Sequence, residues 1–313
     1  MAKLLCVVGP TASGKTKMGV ALARRFGGEV VSVDSMQIYR GMTIGTAAPT
    51  EVEREGVPHH MIAVADPSES WSVARYVTMA DGCVQDILRR GKIPILVGGT
   101  GLWLDALVQG MDFAPGAQGE PVRLRLQQRM AAEGAEALLS ELRQIDPAAA
   151  AKLHIKDEKR ILRALEVYET TGRTFTEQCA AQAARPPRYE AVYIGLDYEN
   201  RDDLRRRIDA RVDDMVAHGL LQEVEALLSS GLSPDATALQ AIGYKQFLAV
   251  EQGRATVDEA VEEVKLRSRQ YAKRQLTWLR RNSAIHWIYW GSEPNFPAAL
   301  QDATDYLTAC GLG

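Results

Sequence analysis

Apolar residues in this chain fall into two alternating patterns, short unbroken runs and helically spaced stretches. Leu4-Leu-Cys-Val-Val8 is a continuous apolar run ended by Gly9-Pro10, which predicts a strand buried on both faces within a parallel sheet. A helix is expected from about Gly14 to Phe26, and Glu29 to Val33 reads as a second, β-branched strand ending at Asp34. Between Trp71 and Arg90, the residues Val73, Tyr76, Val77, Ala80, Val84, Ile87 and Leu88 recur at helical spacing. Ile93 to Val97 is a third buried strand, punctuated by Gly98-Gly99, and a helix through Leu102, Trp103 and Leu107 follows. Strands alternating with helices predict a doubly wound α/β parallel sheet.

The alternation stops after Gly110. Residues 111–121 hold Pro115, Gly116, Gly119 and Pro121 and read as a loop or hinge. From Val122 to about Arg185 the signal is almost wholly helical, with segments near 122–132, 135–144 and 157–171, until Pro186-Pro187 closes the stretch. Ala191 to Leu196 returns to strand character. Long helices are expected near 200–218, 219–230 and 256–281, and a last strand from Ala284 to Tyr289. The predicted organisation is one α/β core, residues 1–115 and 188–313, interrupted by an all-helical insertion domain at 116–187.

Composition narrows the class. A hydrophobic fraction of 46% and a charged fraction of 25% over 313 residues fit a soluble globular protein. No apolar run reaches the roughly 18 residues a membrane span needs, and the first residues lack the features of a signal peptide. Cys6, Cys83, Cys179 and Cys310 are scattered without a Cys-x-x-Cys pair. That argues against a disulfide framework or zinc site and for a reducing cytoplasm. The net charge is −3, so a nucleic-acid partner would require a local basic surface.

Gly9-Pro10-Thr11-Ala12-Ser13-Gly14-Lys15-Thr16 fits the strand–GxxxxGK[ST]–helix pattern, a P-loop, and makes the expected core P-loop NTPase-like. Glycines there let backbone N–H groups converge on phosphate oxygens at a helix N-terminus. Lys15 adds a point charge, and the Thr16 hydroxyl is placed for Mg²⁺. A bare Gly-rich turn would not explain Lys15 and Thr16 at that spacing. Kinases, NTPases and transferases all use such a loop, so it leaves the reaction open.

Asp34, with Ser35, Met36 and Gln37, leaves the C-terminal end of the second strand, the edge that faces ligands in open α/β sheets. It is a candidate base or water-mediated Mg²⁺ ligand and equally a candidate turn cap. The third strand ends in Gly98-Gly99-Thr100 with no acid, which weakens a simple ATPase reading. These glycines permit close approach of a ligand, and Thr100 offers a hydrogen bond; a tight turn is the plainer alternative. His59 and His60 follow Pro58 in an expected loop, with a structural role and no metal. Arg205, Arg206, Arg207 and Arg211 mark one helix. Leu266 to Arg281 carries Arg267, Arg269, Lys273, Arg274, Arg280 and Arg281 without an acid. Such a run is either a solvated face or a surface for a polyanion.

Taken together, these segments resemble the family of bacterial tRNA dimethylallyltransferases, also called tRNA isopentenyltransferases. The matching stretches are Gly9–Thr16, Ser32–Met42 with Ile44–Thr46, Val57–His60, Gly91–Leu102, Arg163–Tyr168, Ala241–Lys245 and Arg269–Arg280, in the family's order across nearly the whole chain. The resemblance implies transfer of a dimethylallyl group from dimethylallyl diphosphate to N6 of the adenosine immediately 3′ of the anticodon (position 37 of the tRNA). It implies Asp34 as general base, Arg211 as a catalytic cation and Thr100 as a substrate contact. The implied tRNA-contacting positions are Asp34, Ser35, Met36, Gln37, Thr100, Arg123, Lys159, Arg160, Ile161, Leu162, Arg163, Gln240, Ala241, Ile242, Gly243, Tyr244 and Lys245. Mg²⁺ is the expected cofactor, the tRNA anticodon stem-loop the expected partner, and a monomer the expected state. Trp71 and Trp103 stand where the family usually has Tyr, and Ile155-Lys156 replaces a usual Pro-Asn. The target adenine is expected to flip out of its stack to reach the site. Rival readings are a small-molecule P-loop kinase, an isopentenyltransferase for free adenine nucleotide, and an RNA-binding protein with a vestigial P-loop.

Overall fold

The computed structural model describes residues 3–111, 113 and 116–312. Six strands form one wholly parallel sheet: β1 (Lys3–Val8), β2 (Glu29–Val33), β3 (His59–His60), β4 (Pro94–Gly98), β5 (Glu190–Tyr198) and β6 (Ile285–Trp290), in the spatial order β3-β2-β4-β1-β5-β6. Helices α1 (Lys15–Phe26), α2 (Glu51–Arg54), α3 (Val73–Arg89) and α4 (Gly101–Gln109) connect or follow the first four strands. The insertion holds α5 (Gly116–Glu133), α6 (Ala135–Ile145), α7 (Pro147–Ala150), α8 (Glu158–Thr171) and α9 (Phe175–Ala183). After β5 come α10 (Arg201–Ala217), α11 (Leu220–Ser229), α12 (Tyr244–Glu251) and α13 (Val257–Leu279), and after β6 comes α14 (Phe296–Ala309).

The central strands are apolar throughout because both faces are covered. Leu4, Leu5, Cys6, Val7 and Val8 of β1 are all essentially inaccessible. On one face, Leu5 and Val7 share a core with Met18 and Leu22 of α1, Leu204 and Ile208 of α10, Ala272 and Leu276 of α13 and Ala303 and Leu307 of α14. The chain divides into two compact units, Met1–Gly110 with Arg188–Gly313, and Met111–Pro187. The second has a core of its own, built on Leu126, Leu138, Leu139, Leu142, Ile161 and Leu165.

Two expectations are corrected. Of the predicted hinge, Pro115 lies outside the described residues, but Gly116 to Pro121 is helix, the start of α5. Pro121 removes one ladder hydrogen bond near the helix start. The packing of α5 on α8 offsets that loss. His59 and His60 are not loop residues: they form edge strand β3 beside Val30 and Val31. His60 Nε2 lies 2.8 Å from the buried Glu29 carboxylate, which also accepts from Lys92 at 2.7 Å and from Arg90. Hydrogen bonds from Arg90 first, and then from Lys92 and His60, hold Glu29 well below the usual carboxylate range. The local role expected for the histidines is a strand pairing and a hydrogen bond to Glu29.

Candidate active site

Sheet register brings three loops to one edge. Val8 of β1 and Val33 of β2 both pair with Gly98 of β4. The residues that follow them, Gly9–Thr16, Asp34–Gln37 and Gly99–Thr100, therefore emerge side by side. This is where open α/β sheets bind ligands.

The P-loop turns into α1 through Ala12 (φ 63°) and Gly14 (φ 85°), both left-handed. A Cβ on Gly9 would stand 2.4 Å from the Leu196 carbonyl oxygen of β5, so only glycine can leave β1 there. No side chain caps the N-terminus of α1, which leaves its first N–H groups and the positive end of the helix dipole for an anion. The loop is held from both sides. The Trp290 indole donates to the Ser13 carbonyl at 2.9 Å, and the Thr11 N–H donates to Gln275 Oε1 at 2.8 Å. Lys15 Nζ donates to the Pro10 carbonyl at 2.5 Å. Burial first, and then the neighbouring Arg211, lower the Lys15 ammonium to about 7, with Asp34 opposing. The Ser13 hydroxyl is buried without a hydrogen-bond partner among the described residues.

Asp34 performs the capping role with one oxygen and leaves the other open. Its Oδ1 accepts from Met36 N at 2.8 Å and Gln37 N at 3.3 Å. Oδ2 has no hydrogen-bond partner among the described residues. Thr100 Oγ1 accepts from Ser35 N at 3.3 Å, tying the β4 loop to the β2 loop. Burial, and then Asp34, push the Tyr271 phenol up to about 12, with the neighbouring Thr100 and Gln275 opposing. Gln275 Nε2 donates to the Gly99 carbonyl at 3.1 Å. Gln275 of α13 thus ties the P-loop to the β4 loop, and Thr100 ties the β4 loop to the β2 loop.

The glycines of the third-strand loop serve that packing more directly than a ligand. A Cβ on Gly98 would meet the Val33 carbonyl oxygen at 2.1 Å. One on Gly99 would meet Gln275 Nε2 at 2.0 Å, and one on Gly101 the Trp278 ring at 2.2 Å.

Above the sheet edge lie two adjoining compartments. The larger, about 830 Å³, is lined by the P-loop with Ser32, Asp34, Gly98, Gly99, Arg207 and Arg211 among others. The smaller, about 310 Å³, is lined by Met36, Val212, Met215, Ile242, Arg274 and their neighbours. Thr11, Asp34, Thr46, Arg211, Met215 and Tyr271 line both. Arg211 makes no ion pair among the described residues; burial lowers its pKa, while Asp34 and Glu53 raise it. An ionisable base, a cation and an apolar flank (Met215, Tyr271) therefore stand at the junction between a phosphate-binding side and a mostly apolar chamber.

The residues present fit Mg²⁺. Thr16 and Asp34 both line the larger compartment, and hydroxyl and carboxylate are the hard oxygen donors that ion prefers. No group of three or more His, Cys, Asp or Glu side chains that could hold a metal ion occurs among the described residues. Mg²⁺ would therefore take most of its ligands from phosphate and water, its usual habit.

Of the RNA-contacting candidates in the first unit, Ser35, Met36, Gln240, Ala241 and Ile242 line the smaller compartment, and Lys245 is exposed. Gln37 is spent on its own loop, accepting from Ser32 Oγ at 2.9 Å and donating to the Thr46 and Ala47 carbonyls. Gly243 is buried, and Tyr244 is fully so, its hydroxyl donating to Glu223 at 2.5 Å. The Tyr244 side chain packs behind the site and is buried away from any RNA, because its ring fills the space against Gly45. In the insertion, Arg123, Lys159 and Arg160 are exposed, and Arg163 pairs with Glu166 at 2.9 Å. Ile161 is buried in the insertion core and Leu162 packs against it, so hydrophobic burial removes Ile161 from any RNA surface. The acid-free run on α13 is divided in use. Arg267, Arg269 and Arg280 pair with Glu263, Asp209 and Asp197, and Arg281 stacks on Trp278. Arg274 reaches the smaller compartment.

Sequence reasoning had not singled out Gln275, Glu223 or Trp290 as parts of the site. Gln275 carries the one local signal, a buried amide on an otherwise basic helix face. The other two are joined to the site only by distant contacts.

Two family models match: IPP transferase over residues 37–282 and isopentenyl transferase over residues 2–63. A tRNA dimethylallyltransferase of Geobacillus thermodenitrificans is 45% identical over 305 residues, 97% of this chain and 96% of that protein. One from Halalkalibacterium halodurans is 46% identical over 286 residues, 91% of this chain and 90% of its own. Among solved structures, the full-length tRNA isopentenylpyrophosphate transferase of Bacillus halodurans superposes with a TM-score of 0.74 at 40% identity, covering 99% of this chain and 96% of that one. A eukaryotic dimethylallyltransferase acting on tRNA gives 0.84 at 30% identity, covering 99% and 80%. With a family model spanning most of its length and relatives this similar end to end, the chain belongs to the IPP transferase family.

Proposed function

We propose that this enzyme transfers the dimethylallyl group of dimethylallyl diphosphate to N6 of the adenosine immediately 3′ of the anticodon in tRNA, releasing diphosphate. The observation that carries the reading is the junction itself. Asp34 Oδ2 and the unpaired Arg211 sit where the P-loop compartment meets the second chamber. Full-length similarity to tRNA dimethylallyltransferases supports the donor and acceptor classes.

The P-loop amides, Lys15 and Arg211 hold the diphosphate and stabilise the charge that builds on it as the C1–O bond breaks. Thr16 would help hold Mg²⁺, which when bound would supply Lewis-acid neutralisation of the same leaving group. The adenine amine is a poor nucleophile because its lone pair is delocalised into the ring. As the N6–C1 bond forms, Asp34 Oδ2 accepts the N6 proton, a step worth roughly 10²–10⁴ in rate. Thr100 and Gln275 keep the three loops in register. Splayed loop bases and backbone contacts, with Lys159 and Arg160 exposed on the insertion, are the expected mode of RNA recognition. No described helix is long and apolar enough to cross a membrane, and tRNA as the acceptor supports a cytoplasmic site of action.

The test is incubation with Mg²⁺, radiolabelled dimethylallyl diphosphate and unmodified tRNA carrying A-A-A after the anticodon. Label entering the tRNA, and lost when the adenosine 3′ of the anticodon is replaced, supports donor, acceptor and position together. Label on AMP alone would indicate an enzyme for free nucleotide, and label on neither would turn attention to a kinase.

A further inference from the structure

One carboxylate outside the catalytic junction gathers an unusual number of donors. Glu223, in the first turn of α11, accepts from Thr43 N at 2.8 Å, Thr43 Oγ1 at 2.9 Å, Ile44 N at 2.8 Å, Gly45 N at 3.1 Å and the Tyr244 hydroxyl at 2.5 Å. Five donors use up the acceptor capacity of a carboxylate, which offers about four lone-pair positions. No cation pairs with it among the described residues, so backbone and hydroxyl dipoles carry its charge.

The donors come from two separate segments, the Thr43–Gly45 loop and Tyr244 of α12. The loop lends Gly45 to the lining of the smaller compartment and Thr43 and Ile44 to that of the larger, while Gln240, Ala241 and Ile242, which lead into Tyr244, border the smaller one. The two segments touch, since a Cβ on Gly45 would stand 2.5 Å from the Tyr244 ring and 2.8 Å from Leu220. Burial, and then Glu223, hold the Tyr244 phenol well above its ordinary value, so it remains a proton donor.

Resting on the prenyl-transfer reading, we infer that Glu223 is a positioning residue for the acceptor: it clamps the Thr43–Thr46 loop to Tyr244 and so sets the chamber that the target adenine enters. Glu223 touches no reacting atom. It acts through Thr46, which borders both compartments beside Asp34. The P-loop itself is held by Gln275 and Trp290 and not by Glu223.

Glu223→Gln keeps the shape but offers one acceptor oxygen in place of two and turns two donors toward backbone N–H groups. Steady-state prenylation of tRNA should show kcat down roughly tenfold or more, while KM for tRNA and the affinity for inorganic diphosphate stay within about twofold. Tyr244→Phe, which removes one donor, should lower kcat in the same sense by a few-fold. Should Glu223→Gln fail to fold, Tyr244→Phe decides. Unchanged kcat in the folded variant, or a loss of diphosphate affinity equal to the loss of kcat, overturns the inference. The wild-type arm separates this from the functional reading: wild-type protein that binds diphosphate but prenylates no tRNA refutes that reading instead.

Discussion

The amide of Gln275 and the backbone of Gly99 occupy positions that exclude a side chain between them. Gln275 Nε2 donates to the Gly99 carbonyl at 3.1 Å, and a Cβ on Gly99 would lie 2.0 Å from that nitrogen. Gly99→Ala should therefore cost roughly 1–3 kcal/mol by overpacking. Gln275→Ala should also destabilise, because Thr11 N and the Gly99 carbonyl lose their partner. The double variant should recover part of the loss, with a coupling of about 1 kcal/mol in urea unfolding. Strict additivity of the two losses would show that the contact is not the constraint.

Asp34 has two separable duties, and substitutions can split them. Asn retains an Oδ1 able to accept from Met36 N and Gln37 N, but no basic oxygen. Asp34→Asn should keep near-wild-type thermal stability and tRNA affinity while turnover falls by roughly 10²–10⁴. Asp34→Ala should lose both turnover and some stability. Normal turnover at saturating tRNA in the Asn variant would remove Asp34 from the chemistry.

Lys15 predicts a definite pH dependence. Its folded value of about 7 lies below the ordinary 10.5. Below pH 7 both folded and unfolded chains carry the charge, and the burial penalty is fully present. Between about 7 and 10.5 the unfolded chain binds more protons, so stability contributed at this site rises with pH. Lys15→Met should raise Tm more at pH 6 than at pH 10. In parallel, the wild-type advantage over Lys15→Met in binding inorganic diphosphate should shrink as pH rises above 7. An advantage independent of pH from 6 to 9 would mean that the lysine stays charged throughout.

Lys159 and Arg160 are exposed and unpaired among the described residues, so their contribution to RNA should be electrostatic. The Lys159→Ala, Arg160→Ala double variant should weaken tRNA binding and lower the slope of log K against log salt by roughly 1–2. The affinity for dimethylallyl diphosphate, measured by calorimetry, should be unchanged. A salt slope equal to that of wild type would place the RNA elsewhere.

Local pattern alone determined most of the framework. The apolar run Leu4–Val8, the glycine loop and the following helix are contiguous, so periodicity and turn chemistry specify them without help from the rest of the chain. The same holds for Asp34 at a strand end and for Lys15 and Thr16 in the loop. Edge strand β3 escaped that reading because two residues carry no periodicity; only pairing with Val30 and Val31 makes them a strand. The helical start of α5 escaped it because local Gly and Pro preferences yield to the helix that continues through Val122 and Leu126 into the insertion core. Tertiary structure alone decided which polar groups serve the site. Gln275 meets Gly99 across 176 residues, and Glu223 meets Thr43 across 180. It likewise turned Ile161 and Tyr244 inward, since hydrophobic burial is settled by what a side chain packs against, which a motif does not record.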